Sequence, residues 1–187
     1  MGRHGGRPSR ASTRPSLQKL LSARGGAAQS LSMNEPGRRH PAHPPLHEGF
    51  NSPTIVFLTV CTAGRKPVLA EADAQAVLRA AWDGAKSWRV GRYLLMPDHV
   101  HLFCAPAEFP PRPLNQWVAF WKSRAARHWP RPEDSPLWQR DHWDTQLRRS
   151  DNYTEKWRYV LENPVRAKLV ERVADWPYQG EMHVLVW

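Results

Sequence analysis

Residues 89–104 read RVGRYLLMPDHVHLFC, and this stretch decides the fold. It contains two apolar runs of strand-forming residues, 89–96 and 99–104, and between them stand Pro97 and Asp98. Proline followed by aspartate interrupts a strand and favours a turn, so the stretch predicts two antiparallel strands joined as a tight hairpin.

The segments around this hairpin alternate between strand and helix patterns. Residues 54–62 are β-branched and apolar, which predicts a central strand buried on both faces. Residues 71–88 and 114–129 carry apolar side chains at the spacing of amphipathic helices. The alternation predicts an α+β fold in which helices pack on a small antiparallel-rich sheet. Three later segments complete the pattern: an irregular segment or short strand at 138–147, a third helix from a Ser150–Asp151 cap to about Asn163, and a last strand at 182–187.

The N-terminal segment differs in composition from the rest of the chain. Residues 1–50 are rich in Gly, Pro, Ser, Arg and Ala, and such a segment cannot bury enough apolar surface to offset the entropy of ordering it. We therefore expect a disordered arm at 1–50 and one folded domain at 51–187. The arm carries eight Lys or Arg and two Glu residues, a net +6 of the formal +10 of the chain. A basic arm suits nucleic acid, and a solvated tail that keeps the protein soluble explains the charge equally well.

The cysteines and the hydropathy pattern bear on the cellular compartment. Cys61 and Cys104 lie in apolar, strand-like runs without CxxC spacing, which is typical of reduced core residues in an intracellular protein. No apolar stretch approaches the roughly 20 residues that span a bilayer, and the N-terminus lacks the apolar centre of a secretory signal. We therefore expect a cytoplasmic protein that does not contact membranes.

Tryptophan is unusually frequent, with ten in the chain, and several are interleaved with basic residues. This pattern offers stacking surfaces for unpaired bases beside cations for phosphates. Aromatic packing between helices is the alternative, and we expect it to explain at least half of them. The tryptophans concerned are Trp117, Trp121, Trp129, Trp138 and Trp143.

His99 and His101 flank Val100 in the second strand of the hairpin. Side chains at positions i and i+2 of a strand point to the same face, so both imidazoles project together while Val100 points into the core. Two neutral imidazoles side by side can ligate a divalent ion and leave positions for water or a phosphate oxygen. Two ordinary surface histidines are the alternative, and they are the commoner meaning of such a triplet.

Tyr159 and Asn163 stand four residues apart in the predicted third helix. At 100° per residue they fall together, away from an apolar stripe that should pack against the sheet. A carboxamide oxygen can ligate a metal. However, asparagine before proline is also a common helix stop, and Tyr159 also fits an amphipathic surface position. The stripe consists of Tyr153, Trp157, Val160, Leu161 and Pro164.

These two motifs resemble those of a known family. The segment 95–103, LMPDHVHLF, closely resembles the MPxHVHLL segment of the HUH transposases that use one tyrosine. The segment 159–170, YVLENPVRAKLV, resembles their YxxxNPVRAGLV segment. In this order, with Trp138 and Gln139 between them, they resemble the REP-associated tyrosine transposases of the insertion-sequence-200-like family. The resemblance covers roughly residues 52–178.

The resemblance implies an HUH endonuclease fold, which is ferredoxin-like or RRM-like. It implies that His99, His101 and Asn163 bind Mg²⁺ or Mn²⁺, and that Tyr159 is the nucleophile. The implied activity is cleavage and rejoining of single-stranded, hairpin-forming repeat DNA through a 5′-phosphotyrosine intermediate, in a cytoplasmic protein associated with the nucleoid. The candidates for contacts with the DNA are Arg124, Arg127, Arg148, Arg149, Arg166 and Lys168. A solvated helix face is the alternative for each of the arginines, and the commoner one.

The chain departs from the family pattern at two positions. Lys168 stands where the family usually has glycine, and Asp98 replaces a frequent asparagine. Two other functions therefore stay open: a domesticated protein that binds hairpin DNA without cutting it, and a zinc hydrolase that uses His142 or Asp98 as a third ligand. The resemblance is compatible with a monomer and with a homodimer.

Overall fold

The structure is a computed structural model that describes residues 54–147 and 153–185. The predicted arm at 1–50, the predicted cap at Ser150–Asp151, and the candidates Arg148 and Arg149 lie outside the described residues. Within the part of the chain that is described, no helix is long and apolar enough to cross a membrane.

Within residues 54–147 and 153–185, five antiparallel strands form one sheet, which confirms the predicted α+β fold. The sheet order is β4-β1-β3-β2-β5. Strands β2 and β3 form the predicted hairpin, closed by a 2.8 Å hydrogen bond from the Met96 N–H to the His99 carbonyl. The strands are β1 (Val56–Cys61), β2 (Trp88–Leu95), β3 (His99–Pro106), β4 (Trp143–Gln146) and β5 (Gln179–Glu181).

Two helices cover one face of the sheet, here called the core face. Helix α1 spans Ala72–Asp83 and helix α2 spans Leu114–Arg127, close to their predicted ranges. Their apolar stripes pack on alternate residues of the central strands, such as Val60 and Val100, which are fully buried. Because side chains alternate in direction along a strand, the residues between these positions point to the opposite face of the sheet.

Helices α3 (Tyr153–Leu161) and α4 (Asn163–Arg166) follow β4 in the chain. The ring of Phe103 on β3 makes edge contacts with Tyr153, at a centroid distance of 4.8 Å, and with Trp157, at 6.2 Å. Phe103 is fully buried, which agrees with the prediction that the apolar stripe of the third helix packs against the sheet. Helix α3 therefore packs on the face of the sheet opposite α1 and α2.

The predicted end of the third helix is wrong by two residues. Helix α3 ends at Leu161, and Asn163 begins the short helix α4 with Pro164 in its first turn. Proline has no N–H for the carbonyl four residues earlier and its ring crowds that carbonyl, so the break falls before Asn163. Tyr159 and Asn163 consequently lie on two different helices.

The predicted last strand is also misplaced. The observed strand β5 ends at Glu181, and residues 182–185 of the predicted range 182–187 form no strand, whereas residues 186–187 lie outside the described residues. Residues 175–180, DWPYQG, contain proline and glycine, which favour a turn rather than a strand. In the structure, Gly180 instead allows a close approach, since a Cβ at this position would lie 2.9 Å from the hydroxyl oxygen of Tyr93 on the neighbouring strand β2.

The tryptophans that the sequence placed among basic residues serve mainly in the core. Trp117 and Trp121 on α2 are buried, and the Trp117 indole donates a 2.8 Å hydrogen bond to the Ala85 carbonyl. Trp129 is buried in the same cluster, and Trp138 packs edge-on against Trp121. Packing, rather than exposure to bases, thus explains four of the five.

Candidate metal and nucleophile site

The pairing of β1 with β3 sets the face on which both histidines lie. His101 is directly opposite Thr59, and His99 is directly opposite Cys61. Opposed residues in an antiparallel pair point to the same side, so these four side chains share one face of the sheet. Val100 between the histidines is fully buried on the core face, as predicted. The face with the histidines is here called the histidine face.

The two imidazoles point their Nε2 atoms at each other, 3.1 Å apart. The other ring nitrogen of each histidine, Nδ1, contacts a neighbouring side chain. His99 Nδ1 lies 2.6 Å from the Asp98 carboxylate, and His101 Nδ1 lies 2.9 Å from the Thr59 hydroxyl oxygen. Partners of this kind fix the orientation of metal-binding histidines and keep Nε2 available for a ligand.

The charges around the pair favour neutral imidazole at His101. Burial lowers the pKa of His101 well below its usual value, and the positive charges of His99, Arg65 and Arg166 lower it further. Burial acts to raise the pKa of Asp98, but the hydrogen bond and charge of His99, together with Arg65, outweigh it, so that this pKa is lowered. Asp98 therefore stays an anionic acceptor for the His99 Nδ1–H, and His101 keeps a lone pair for a cation.

The separation of the two nitrogens is compatible with shared binding of one divalent cation. Two ligand atoms about 2.1 Å from an ion are about 3.0 Å apart at 90° and about 3.4 Å apart at the tetrahedral angle. The observed separation of 3.1 Å lies within this range, so both Nε2 atoms could reach the same ion. The carboxamide oxygen of Asn163 has the chemistry of a third ligand for such an ion.

Tyr159 and Asn163 are joined by a single arginine. The guanidinium of Arg166 lies over the Tyr159 ring, 4.1 Å from its centroid, and donates to the Tyr159 carbonyl at 2.8 Å. It also donates to the side-chain oxygen of Asn163 and to the Glu162 carboxylate. Tyr159 is 45% exposed, in agreement with its predicted place outside the apolar stripe. The arginine thus holds together two residues that the helix break separates.

Contacts connect these helices to the histidine face. The Lys156 ammonium on α3 lies 5.3 Å from the centroid of the Phe57 ring, and that ring stacks on His101 at 5.5 Å. The charge of Arg166 on α4 is close enough to lower the pKa of His101. The helices that carry Tyr159 and Asn163 therefore pack on the side of the sheet to which both imidazoles point.

Known proteins share the sequence pattern and the fold. The chain is 29% identical over 99 residues to a Haemophilus influenzae protein provisionally named a REP-associated tyrosine transposase. The match covers 46% of this chain and 54% of the relative, so the chain spans about half the length of that curated protein. No family model matches the chain.

A solved structure of a REP-associated tyrosine transposase bound to a REP hairpin superposes with a TM-score of 0.58. It covers 73% of this chain and 82% of that one, at 20% identity, which is evidence of a common fold. The chain resembles the REP-associated tyrosine transposases in sequence and fold. The resemblance predicted from the two motifs is thereby confirmed. A structure from Deinococcus radiodurans R1, provisionally named a transposase, gives a TM-score of 0.43 at 22% identity over 63% of this chain and 95% of that one, too low to support an argument.

The structure separates the residues that were predicted to contact DNA into two groups. Arg166 lies beside Tyr159 at the histidine face. Arg124 and Arg127 lie exposed on α2, which packs on the core face, and a Cβ at Gly84 of the neighbouring α1 terminus would touch the Arg124 side chain. The sheet stands between these two arginines and the histidines, so the structure does not bring them to the same site.

Lys168 lies just after α4 in the left-handed conformation, with φ of 57°. Its N–H donates to the Val165 carbonyl, and the next N–H, of Leu169, donates to the Pro164 carbonyl, both at 2.9 Å. These are the two bonds of a Schellman C-cap, in which the residue at this position is usually glycine. Lys168 therefore replaces the family's glycine at a position whose left-handed backbone conformation favours glycine.

The residues predicted for a zinc hydrolase do not come together. Asp98 contacts Nδ1 of His99, on the side of the ring away from His101. His142 lies 3.9 Å from Asp144, which faces Cys104 in the core. Within residues 54–147 and 153–185, no group of three or more His, Cys, Asp and Glu side chains is arranged to hold a metal.

Sequence reasoning missed Thr59 and Lys156. Thr59 reaches the histidines only through the pairing of two strands that are far apart in the chain, and a single sequence carries no local signal of that register. Lys156 precedes Tyr159 by three residues, which places both on neighbouring positions of one helix. That spacing was the available signal for a cation beside Tyr159.

Proposed function

We propose that this protein is a metal-dependent transposase that cleaves and rejoins single-stranded, hairpin-forming repeat DNA through a 5′-phosphotyrosine intermediate on Tyr159. One observation carries the proposal. The His99 and His101 Nε2 atoms converge to 3.1 Å, with both rings fixed through Nδ1, on the face where the helices of Tyr159 and Asn163 pack. The names of the relatives, both REP-associated tyrosine transposases, support the same activity.

His99, His101 and Asn163 would hold the cation, Mg²⁺ or Mn²⁺. A bound cation of this kind polarises the scissile phosphate and stabilises the charge that develops on it. Two nitrogen donors and one oxygen donor suit Mn²⁺ at least as well as Mg²⁺, which prefers oxygen ligands. The neutral state of His101, which its lowered pKa maintains, keeps the second nitrogen available at neutral pH.

Tyr159 would supply the nucleophile. Its hydroxyl oxygen attacks the phosphorus and loses its proton to solvent, while the bond from phosphorus to the 3′ oxygen breaks and that oxygen takes up a proton. The product is a 5′-phosphotyrosine and a free 3′-hydroxyl. In the second step a 3′-hydroxyl attacks the phosphotyrosine, and the tyrosine oxygen leaves and regains its proton. The ester conserves the bond energy, so the two steps need neither ATP nor water.

Two cations would bind phosphates beside the reacting group. The Lys156 ammonium lies over Phe57 next to His101, and the Arg166 guanidinium lies over the Tyr159 ring. Arginine and lysine at such positions neutralise backbone phosphates and so fix the position of the strand without reading its sequence.

The test is the formation of a covalent adduct. The wild-type protein, incubated with labelled hairpin oligonucleotides from repeat DNA and Mn²⁺, should give a band that resists denaturation, and a chelator should abolish it. Tyr159→Phe should give no adduct. Tyr153→Phe is the matched control, because Tyr153 lies on the same helix but is buried against Phe103.

An adduct that persists in Tyr159→Phe would refute the assignment of the nucleophile. Tight binding of the hairpin by the wild-type protein, without an adduct at any Mn²⁺ or Mg²⁺ concentration, would instead identify a DNA-binding protein that does not cut. Adduct formation by a chelated sample would refute the metal requirement.

A further inference from the structure

We propose that Trp143 is a stacking platform for an unpaired base of the DNA strand that crosses the histidine face. The proposal rests on the proposed function insofar as that function brings single-stranded DNA to this face. It assigns a base-binding role to one residue of edge strand β4, which neither the metal site nor the nucleophile uses.

The pairing of three strands sets the place of Trp143. Trp143 on β4 is directly opposite Thr59 on β1, and Thr59 is directly opposite His101 on β3. Opposed residues point to the same side of a sheet, so the indole projects from the histidine face in the same row as His101. Two spacings of about 4.8 Å between strands place it about 10 Å from His101, within the range of a nucleotide next to a phosphate held there.

Trp143 also differs from the other tryptophans near basic residues. Trp117, Trp121 and Trp129 are buried in the core cluster, and Trp138 packs against Trp121 on the core face. Trp143 is partly exposed on the opposite face, at the edge of the sheet. Of the five, it is the one whose ring is placed to meet a base beside the candidate site.

The surroundings of Trp143 suit a nucleic acid strand rather than an apolar ligand. Thr145, two residues along β4, is exposed and lies opposite Phe57, over which the Lys156 ammonium is held. The Arg166 guanidinium adds a second cation near His101. An aromatic ring on the same face as cations is a combination that binds unpaired nucleotides, since the base stacks on the ring while the phosphates pair with the cations.

The experiment separates contacts with bases from contacts with phosphates. Binding is measured by fluorescence anisotropy for two labelled oligonucleotides of about twelve nucleotides, oligo(dT) and an abasic strand with the same number of phosphates. Trp143→Thr, which keeps a strand-forming residue, should weaken oligo(dT) binding about tenfold and leave the abasic strand unaffected. Trp143→Phe should retain most of the affinity for oligo(dT), because the ring is retained.

Two variants serve as controls. Lys156→Gln should weaken both oligonucleotides alike and should reduce the salt dependence of binding, as expected of a phosphate contact. Phe120→Ala removes an aromatic ring that is 49% exposed on α2, the helix of the core face, and should change neither affinity. Thermal unfolding of each variant shows whether β4 stays folded. If Trp143→Thr unfolds, Trp143→Leu, which keeps apolar bulk without an aromatic ring, should show the same selective loss of oligo(dT) affinity.

The proposal would be overturned if Trp143→Thr weakened the binding of both oligonucleotides equally, or if it did not weaken the binding of oligo(dT). It would also be overturned if Trp143→Phe lost as much affinity for oligo(dT) as Trp143→Thr does. The outcome is independent of strand cleavage. If the wild-type protein gives no covalent adduct but Trp143→Thr selectively loses oligo(dT), the platform stands and the proposed cleavage fails. If the adduct forms while Trp143 has no base-dependent effect, the platform alone fails.

Discussion

Replacing Lys168 by glycine should stabilise the protein. Lys168 occupies the left-handed position of the C-cap of α4, with φ of 57°. An L-residue with a Cβ is disfavoured in this conformation, whereas glycine adopts it without a steric penalty. The two cap hydrogen bonds involve backbone atoms only, so the substitution leaves them intact.

The expected magnitude follows from two opposing effects. The left-handed conformation costs a residue with a Cβ about 1–2 kcal/mol. Glycine loses about 0.5–1 kcal/mol more backbone entropy on folding than alanine does. The difference leaves a stabilisation of about 1 kcal/mol, which corresponds to an increase in Tm of about 2–4 °C for a chain of this size.

Urea denaturation of the metal-free protein measures this change, and Lys168→Ala is the control. Alanine removes the charge but keeps the Cβ, so its free energy of unfolding should stay close to that of the wild type. If alanine stabilises the protein as much as glycine does, the backbone explanation is wrong and the lysine charge is responsible. If neither variant is more stable than the wild type, the left-handed position carries no cost in this chain.

Two other predictions concern the histidine face. The pKa of His101 is below its usual value, so as the pH falls through about 6.5 the unfolded chain takes up a proton at this residue that the folded protein does not. The free energy of unfolding should therefore fall as the pH decreases below about 6.5, by up to about 1.4 kcal/mol per pH unit. His101→Gln should lose this slope when urea denaturation is repeated at several pH values in EDTA, and an unchanged slope would assign the proton to another group. Phe103→Ala should cost about 3–5 kcal/mol in the free energy of unfolding and abolish the adduct, because it removes the ring on which α3 rests. Phe103→Leu should cost less and keep the adduct, and an intact adduct in the alanine variant would mean that Tyr159 does not depend on this contact.

The sequence predicted the arrangement within single elements well, because strand and helix periods fix which side chains share a face. His99 and His101 project together, and Tyr159 lies outside the apolar stripe of its helix, as expected. The hairpin followed from Pro97 and Asp98 between two apolar runs. In each case the signal lies within a few residues of the chain.

Relations between distant elements were not predictable in this way. The place of Thr59 beside His101, and of Trp143 in the same row, depends on strand register, which local sequence does not encode. Arg124 and Arg127 were candidates for DNA contacts, but the periodicity of a helix does not say which face of a sheet it will cover. The three-dimensional packing decided that they lie away from the histidines.

The break between α3 and α4 bears on the spacing of the Tyr159 and Asn163 side chains. Residues four apart on one continuous helix keep a fixed separation, but Tyr159 and Asn163 belong to two segments joined through Glu162, whose φ of −79° and ψ of −8° lie in the right-handed region. A small rotation at that joint would move the phenol relative to the carboxamide without unfolding either segment, and the Arg166 bridge would resist it. A substitution at Glu162 or Arg166 would therefore alter the distance between the Tyr159 phenol and the Asn163 carboxamide and leave the sheet and its other helices unchanged.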